Sequence, residues 1–330
     1  MTLTVRTIRC GVILVLTSLL ALPLASCSQA VQEGVPVAGP AAPAEPQQLF
    51  ATPEEAVKAL QDVTAAHDKE AMHRIFGPAL HELVSSDEAQ NANDFTEFAK
   101  SLAEMTNLVK ESDSKVMLTL GRDNWPFPIP LVQKDGKWFF DTAAGKEEIL
   151  NRRIGEDEVG AIRVCRGYVV AQFEYFSEDR RGEDVLEFAQ HMMSTTGKHD
   201  GLFWETKADE PPSPLGPLVA QARAEGYGRR DGENPEKKQR HPYHGYFFKI
   251  LTKQGSKAPG GQYDYVINGH MVGGFAMVAW PAGYGSSGIM TFIVNQRGKV
   301  YQKDLGQATA KLASEMTEYN PDETWELVKD

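Results

Sequence analysis

The stretch from Pro242 to Gly306 decides the fold, and it reads PYHGYFFKILTKQGSKAPGGQYDYVINGHMVGGFAMVAWPAGYGSSGIMTFIVNQRGKVYQKDLG. Apolar runs of strand length alternate there with glycine-containing turns, which is the pattern of an antiparallel sheet. The runs predict five strands, over residues 246–251, 263–267, 275–280, 289–294 and 300–303. Two of them, 275–280 and 289–294, are apolar on both faces and therefore predict central strands that are covered on both sides.

A helix over residues 156–176 is the predicted cover for one face of this sheet. Glu156, Asp157 and Glu158 would lie in its first turn, where the helix dipole favours acidic groups. The other cover is predicted to be either the N-terminal half or the segment 185–226. Within that segment, residues 185–193 predict a short helix and 194–210 a loop.

The N-terminal half predicts helices followed by hairpin strands. Thr52-Pro53-Glu54-Glu55 is a capping box that begins a helix, and a further helix is expected over 95–109. Strands are predicted over 115–120, 127–133 and 137–141, the last two joined by a turn at Asp135-Gly136. This layout resembles the cone-shaped fold of the nuclear-transport-factor-like and ketosteroid-isomerase-like superfamily, which implies a pocket at the wide end. The whole chain is thus expected to be α+β.

The first 27 residues have the features of a targeting signal. Arg6 and Arg9 precede an apolar run that is short for a membrane span, and Leu24-Ala25-Ser26-Cys27 follows. That tetrapeptide resembles the lipobox of bacterial lipoproteins, which implies lipid attachment at Cys27 and, with Ser28 after it, an outer-membrane location facing the periplasm. An ordinary secretory signal, giving a soluble periplasmic protein, is the alternative.

Composition predicts a tether, two domains and a polar loop in the rest of the chain. Residues 28–49 are rich in Pro, Ala and Gln, which predicts a disordered tether. An N-terminal domain over 50–150 and a C-terminal domain over 151–330, with an insertion over 177–241, are expected to follow. The polar run over 228–240 is expected to be a solvated loop.

Charge and cysteine content exclude some classes of function. The net charge of −11 argues against nucleic acid or anionic lipid headgroups as the main partner. Once Cys10 is removed with the signal and Cys27 is acylated, Cys165 remains alone, so the folded part can form no internal disulfide. A lone cysteine is more often a small buried apolar residue than a nucleophile.

No constellation of residues commits the chain to a reaction. His241-x-x-His244, together with His199-Asp200 and Asp264, has no third metal ligand at a fixed spacing. The glycines of 269–274 lack the Lys-Ser/Thr of a phosphate loop and are better explained by turns. The sequence therefore predicts no catalytic residue, no cofactor and no metal. It leaves a possible binding surface in the polar loops, formed by His199, Asp200, Trp204, Tyr243 and His244.

Several long segments resemble a bacterial family of exported proteins. They are RRIGEDEVGAI, TTGKHDGLFW, SPLGP, PYHGYFFKIL and GGFAMVAWPAGYGSSGIMTFIVNQRGKVYQKDLG, and they are similar to the domain of unknown function family number 2950. This resemblance covers about residues 50–328. It implies a location in the cell envelope and no established activity.

A more distant resemblance concerns the C-terminal half. The pattern Ala279-x-Pro281 through Tyr284, Thr291-Phe292 and Gly298 is similar to the headgroup of type IV pilins and type II secretion pseudopilins. That likeness implies a helix packed on an antiparallel sheet. Pilins polymerise through a long, nearly uncharged N-terminal helix, whereas the helix here is amphipathic and follows Arg152-Arg153 and a whole domain. Filament assembly is therefore not expected.

These observations favour a non-enzymatic, lipid-anchored envelope protein that binds an envelope protein or a cell-wall partner through its loops. The alternative is a small-ligand-binding protein or enzyme that uses a pocket of the N-terminal cone, with Trp125 or Trp138 near the ligand.

Overall fold

The computed structural model describes residues 46–207, 209–228 and 241–329. The predicted signal, Cys27 and most of the predicted tether lie outside the described residues, as does the charged loop from 229 onward. The fold is α+β, as the sequence predicts.

Six α-helices are described, together with two short 3₁₀ segments, Pro78–Leu83 and Gly306–Ala308. The helices are α1 Pro53–Ala66, α2 Lys69–Phe76, α3 Glu88–Glu104, α4 Thr142–Phe176, α5 Gly216–Ala224 and α6 Thr309–Glu315. The strands are β1 Thr106–Ser112, β2 Lys115–Leu120, β3 Trp125–Pro126, β4 Leu131–Lys134, β5 Lys137–Phe140, β6 His191–Met193, β7 Gly201–Phe203, β8 Tyr246–Leu251, β9 Lys253–Gln254, β10 Tyr263–Asp264, β11 Val266–Ile267, β12 His270–Met271, β13 Ala276–Pro281, β14 Met290–Asn295, β15 Tyr301–Asp304, β16 Glu318–Tyr319 and β17 Glu326–Leu327.

In the N-terminal half, α1 to α3 pack with an antiparallel sheet of order β1-β2-β4-β5, to which β3 adds beside β2. The predicted cap of α1 is confirmed, because Thr52 Oγ1 accepts the Glu55 N–H at 3.2 Å. The predicted turn between β4 and β5 is confirmed too, with Asp135 and Gly136 at φ 53° and 74°. The helix predicted over 95–109 is wrong at both ends, since α3 begins at Glu88 and Val109 lies in β1.

Aromatic side chains fill the interior of this half. Phe76, Phe127 and Phe140 contact one another with ring centroids 5.2–6.4 Å apart, and Phe98 lies 5.4 Å from Phe127. Trp138, predicted to lie near a ligand, is 7% exposed and belongs to the same apolar core. Trp125 is 44% exposed and lies at the surface beneath the Arg152 guanidinium.

The long helix α4 is the main departure from the predicted elements. The sequence predicts a helix that begins at Glu156, whereas α4 begins at Thr142, capped by the Asp141 side chain on the Ala144 N–H at 3.1 Å. Good helix formers over 143–150 allow the extension, and Gly145 is required there for close packing, because a Cβ would lie 2.8 Å from the Pro128 carbonyl oxygen. Asp157 consequently lies in mid-helix and is buried. The predicted domain boundary at residue 150 falls within this helix.

The C-terminal sheet is antiparallel, with the order β17-β15-β14-β13-β8. Four of the five predicted strands are confirmed as β8, β13, β14 and β15. The fifth, predicted over 263–267, is wrong as a member of this sheet, because it divides into β10 and β11, which pair with β9 and β12 instead. The predicted turn between β14 and β15 is confirmed by the Gly298 N–H, which donates to the Asn295 carbonyl at 2.9 Å.

Two helices cover this sheet. The predicted cover by α4 is confirmed, since α4 packs against β13 and β14. The second cover is α6 rather than the N-terminal half or the segment 185–226: α6 packs on β13, and Ser314 in it accepts a hydrogen bond from Lys249 Nζ. Lys249 and Tyr246 are three residues apart in β8, so their side chains point to opposite faces of the sheet. Lys249 contacts α6 and Tyr246 lies beside Glu158 of α4. The two helices therefore lie on opposite faces of the sheet.

The segment 185–193 is extended, and the helix predicted there is wrong. The amide of Gln172 in α4 donates to the Ala189 carbonyl at 2.9 Å and accepts the Ala189 N–H at 2.8 Å. Phe188 also donates its N–H to the Met271 carbonyl at 2.8 Å. Tertiary hydrogen bonds therefore override a weak helical pattern in this segment.

Apolar burial in the described chain falls into two clusters. One lies between Phe50 and Phe140, and the other lies between Ala161 and Tyr319. Of the helices in the described ranges, none is both long enough and apolar enough to cross a membrane.

Candidate functional site

A cleft of about 550 Å³ lies where α4 ends. Its walls come from the last turn of α4, the segment 180–191 and the loop 197–200. Charged side chains of both signs line it, among them Arg180, Arg181, Glu187, Lys198 and Asp200, together with the imidazole of His199. We refer to it as the cleft.

Two aspartates set the shape of the loops around the cleft. The carboxylate of Asp179 accepts four successive backbone N–H groups, from Arg181 to Asp184, at 2.8–3.3 Å. The carboxylate of Asp200 accepts both the N–H and the hydroxyl of Thr195, at 2.7 and 2.8 Å. Although burial raises the pKa of Asp200, these bonds outweigh it and lower the pKa. The main role of the Asp200 carboxylate is therefore to hold the loop between Thr195 and Asp200 in its conformation.

An aromatic stack stands at the edge of the cleft. His199 and Trp204 are stacked with centroids 4.3 Å apart and planes at 22°, and the Arg180 guanidinium lies 5.6 Å from the Trp204 ring centre. The Tyr175 hydroxyl donates to the His199 carbonyl at 2.6 Å and so ties this loop to α4. The position of His199 is thus fixed by the helix, while its side chain is exposed.

Arg181 balances two carboxylates of the cleft. Its guanidinium lies 3.0 Å from Glu183 and 3.0 Å from Glu187. Glu187 is 4% exposed, and its other oxygen accepts the Met271 N–H at 3.2 Å. Burial lowers the pKa of Arg181, but the two glutamates outweigh burial and raise it.

A second cavity, of about 640 Å³, lies between α3, the middle of α4 and the residues just before β8. We call it the junction cavity. Asp157 in its wall is 1% exposed, and its Oδ1 accepts the Gln90 amide at 2.5 Å. The other oxygen, Oδ2, has no hydrogen-bond partner among the described residues. Burial, opposed by the Gln90 hydrogen bond and Arg153, raises the pKa of Asp157 to about 7.

A hydrogen-bond network closes the junction. The Asp87 carboxylate accepts the Tyr227 hydroxyl at 3.0 Å and the Gly245 N–H at 3.1 Å. His244 donates its N–H to the Tyr227 oxygen at 3.2 Å, and its ring lies 3.0 Å from Glu225. This network joins the start of α3, the end of α5 and the start of β8, so its role is to hold these elements together.

The residues predicted to form one binding surface lie in two places. His199, Asp200 and Trp204 come together at the cleft, whereas Tyr243 and His244 belong to the junction. Tyr175 and Asp157, the α4 residues at the two sites, lie roughly 27 Å apart along the helix axis at 1.5 Å per residue. The three residues at the cleft are close together in the sequence, which is enough to group them. No sequence signal shows that the two residues at the junction belong to a different place.

Other groups of the cleft and the junction were missed by the sequence. Glu187 lies in the segment 185–193, for which the sequence predicts a helix, Glu183 lies just before it, and Asp157 is predicted to lie in a first helical turn rather than in mid-helix. The signal that could have found Asp157 is its place within the apolar stripe of α4, next to Ala161, Val164 and Tyr168, which are also buried.

Neither Cys165 nor Ser287 is placed as a nucleophile. Cys165 is fully buried, and burial raises its thiol pKa to about 12, so it is a poor nucleophile. The Ser287 hydroxyl donates to the Gly245 carbonyl at 2.8 Å and accepts the Gly283 N–H at 3.0 Å, which makes it a turn-stabilising group.

Comparison with known proteins places the chain by family. No curated protein and no solved structure matches it. A family model does match, over residues 47–328, which is most of the chain. The family carries no described activity, in agreement with what the sequence resemblance implies. The chain belongs to the family described as Protein of unknown function (DUF2950).

Proposed function

We propose that this protein is an exported, lipid-anchored envelope protein that binds a carboxylate-bearing partner at the cleft. The observation that carries the proposal is a charged cleft of about 550 Å³ bordered by exposed cationic side chains. The lipid anchor rests on the lipobox at Cys27, and the outer-membrane location rests on Ser28.

The charge balance of the cleft favours an acidic partner. Its carboxylates already have partners, because Glu183 and Glu187 share the Arg181 guanidinium and Asp200 accepts two hydrogen bonds from Thr195. Lys198 is exposed at the rim and makes no ion pair with a carboxylate in the part of the chain that the structure describes. An incoming carboxylate would therefore meet a positive rim without displacing an existing pair.

The C-terminal architecture supports the likeness to a pilin headgroup. Helix α4 packs its second half on the antiparallel strands β13 and β14, which is the layout that the likeness implies. The first half of α4 is committed to the N-terminal half, where Arg153 donates to the Leu83 carbonyl. We therefore propose a headgroup that serves for binding and does not polymerise.

The alternative pocket in the N-terminal half gains no support. The space between its helices and its sheet is occupied by Phe76, Phe98, Phe127 and Phe140. A ligand beside Trp138 would need to displace this core.

Charge reversal at the rim tests the proposal. The mature protein would be sedimented with purified cell-wall sacculi, and separately cross-linked in intact envelopes through a photoreactive residue at the exposed position 196, which leaves position 198 free to be Lys or Glu. Lys198→Glu is expected to weaken recovery about tenfold, because one attractive contact becomes repulsive. Lys100→Glu, on an exposed site of α3, is the matched control and should bind like the unaltered protein.

The two arms distinguish the sources of the carboxylate. Sedimentation that depends on Lys198 identifies the cell wall, and a single Lys198-dependent cross-linked protein identifies an acidic envelope protein. Equal recovery of the two charge-reversed variants in both arms would overturn the proposal.

A further inference from the structure

Three side chains of types that can bind a metal converge at the wall of the cleft from distant parts of the chain. Glu183 and Glu187 come from the segment after α4, and His270 comes from β12. One donor atom from each lies within 4.8 Å of the others. His270 Nδ1 is 3.5 Å from Glu187 Oε2 and 3.7 Å from Glu183 Oε2.

The backbone holds these groups in place. Asn268 and Gly269, at φ 53° and 88°, form the tight turn that presents His270 on β12. The Gln190 amide donates to the Gly269 carbonyl at 2.7 Å, which fixes this hairpin against the segment carrying the glutamates. The Met271 N–H donates to Glu187 Oε2, as a supporting hydrogen bond behind a metal ligand would.

One buried polar atom of the cluster, His270 Nδ1, has no hydrogen-bond partner among the described residues. Glu187 Oε1 is paired with the Arg181 guanidinium at 3.0 Å. Glu187 is 96% buried, and the cation facing it, Arg181, is shared with Glu183. One positive charge for two carboxylates leaves the cluster with an excess negative charge beside an unused imidazole nitrogen.

The spacing fits a bound cation better than a direct contact. Distances of 3.5 and 3.7 Å are too long for a hydrogen bond between imidazole and carboxylate. Ligand atoms that bind Zn²⁺ tetrahedrally, each at about 2.0–2.2 Å, lie roughly 3.3–3.6 Å from one another. We propose that Glu183, Glu187 and His270 bind a divalent transition-metal ion, with Zn²⁺ as the representative probe.

This site is independent of any partner in the cleft. Three protein ligands leave one coordination position for water, which is the arrangement of an accessible zinc site. Glu183 and Glu187 both line the cleft, so the ion would lie in its wall. The sequence predicts no metal, because the glutamates and the histidine lie far apart in the chain and only the fold brings them together.

Zinc titration of the untagged, chelator-treated mature protein tests the site. Calorimetry is expected to show one Zn²⁺ per chain, and Glu183→Gln and His270→Gln are each expected to weaken the affinity at least tenfold. Glu70→Gln and His73→Gln, on exposed positions of α2, are matched controls that should leave the affinity unchanged. Thermal unfolding in chelator shows that each variant is folded.

Cobalt substitution provides a second readout. Co²⁺ bound in place of Zn²⁺ is expected to give visible absorption bands that shift or vanish in His270→Gln. A protonated His270 that merely pairs with the glutamates predicts instead no stoichiometric metal and no cobalt bands. That result, or an unchanged affinity in both site variants, would overturn the proposal.

Discussion

The cleft and the junction cavity each contain a nearly fully buried carboxylate, but they accommodate it differently. Glu187, 4% exposed, has the Arg181 guanidinium at 3.0 Å and the Met271 N–H at 3.2 Å. Asp157, 1% exposed, has the neutral Gln90 amide at 2.5 Å. The cleft thus balances its buried acid with a cation, whereas the junction favours the protonated form of its acid, whose pKa is raised to about 7.

This difference bears on the proposal that the cleft is a binding region and the junction a structural one. Removing the cation at the cleft would leave a buried charge without its counter-ion, whereas at the junction the raised pKa of Asp157 makes protonation part of the folding free energy. The following predictions test that separation, from the largest expected effect to the smallest.

The largest effect is expected at the junction from Gly245→Ala. Gly245 has φ +67°, and a Cβ there would overlap Asp157 Oδ2 and lie 2.8 Å from Ser287 Cβ. Backbone strain and overpacking together should lower the free energy of unfolding by about 3 kcal/mol, as measured by urea denaturation. Gly285→Ala is the matched control, because its φ is +76° and a Cβ there would meet nothing within 4 Å. Equal losses in the two variants would show that crowding against Asp157 contributes nothing.

The second effect is a pH dependence that Asp157→Asn removes. Because the pKa of Asp157 is raised in the folded state, that state binds more protons than the unfolded chain between the ordinary pKa of 3.8 and about 7. Stability contributed by protonation at Asp157 is therefore lost as pH rises through this window. Between pH 5 and pH 8 the unfolding free energy of the unaltered protein should fall by about 2 kcal/mol more than that of the Asp157→Asn variant.

Urea denaturation across that pH range measures the difference. Asp123→Asn, at an exposed position, is the control and should keep the slope of the unaltered protein. Parallel slopes for all three proteins would mean that Asp157 is not the group that titrates.

The smallest effect is expected in the cleft, from Arg181→Gln. This change leaves buried Glu187 without its counter-ion, and it should cost about 1.5 kcal/mol, less than a fully buried pair because Arg181 is one-third exposed. Adding Glu187→Gln should recover most of the loss. A double-mutant cycle in the presence of a chelator gives the coupling energy, and additive losses would contradict the pairing.

The fold is predictable where local signals and tertiary packing agree. The capping box of α1, the Asp135-Gly136 turn and strands β8, β13 and β14 all follow from short patterns that packing does not override. The start of α4 is not predictable in this way, because three acidic residues imitate a first helical turn. The segment 185–193 fails for a different reason, since the side chain of Gln172 supplies hydrogen bonds that compete with a helix.

The residues of the candidate site also fall into those that a local sequence pattern groups and those that only tertiary structure brings together. His199, Asp200 and Trp204 are near neighbours in the chain, so a loop pattern was sufficient to group them. Glu187 and His270 are brought together by tertiary hydrogen bonds, among them those from Phe188 to Met271 and from Met271 to Glu187, which no local pattern encodes. Asp157 depends on the exact start of α4, which decides whether an acid is solvated or buried.

The continuity of α4 has a consequence for how the chain melts. One helix of 35 residues contributes side chains to both apolar clusters, with Ile149 packed against the first and Ala161 inside the second. Losing either cluster would free half of the helix and remove the support for the other half. The two halves should therefore unfold in one cooperative transition, with equal calorimetric and van't Hoff enthalpies, although their cores do not merge.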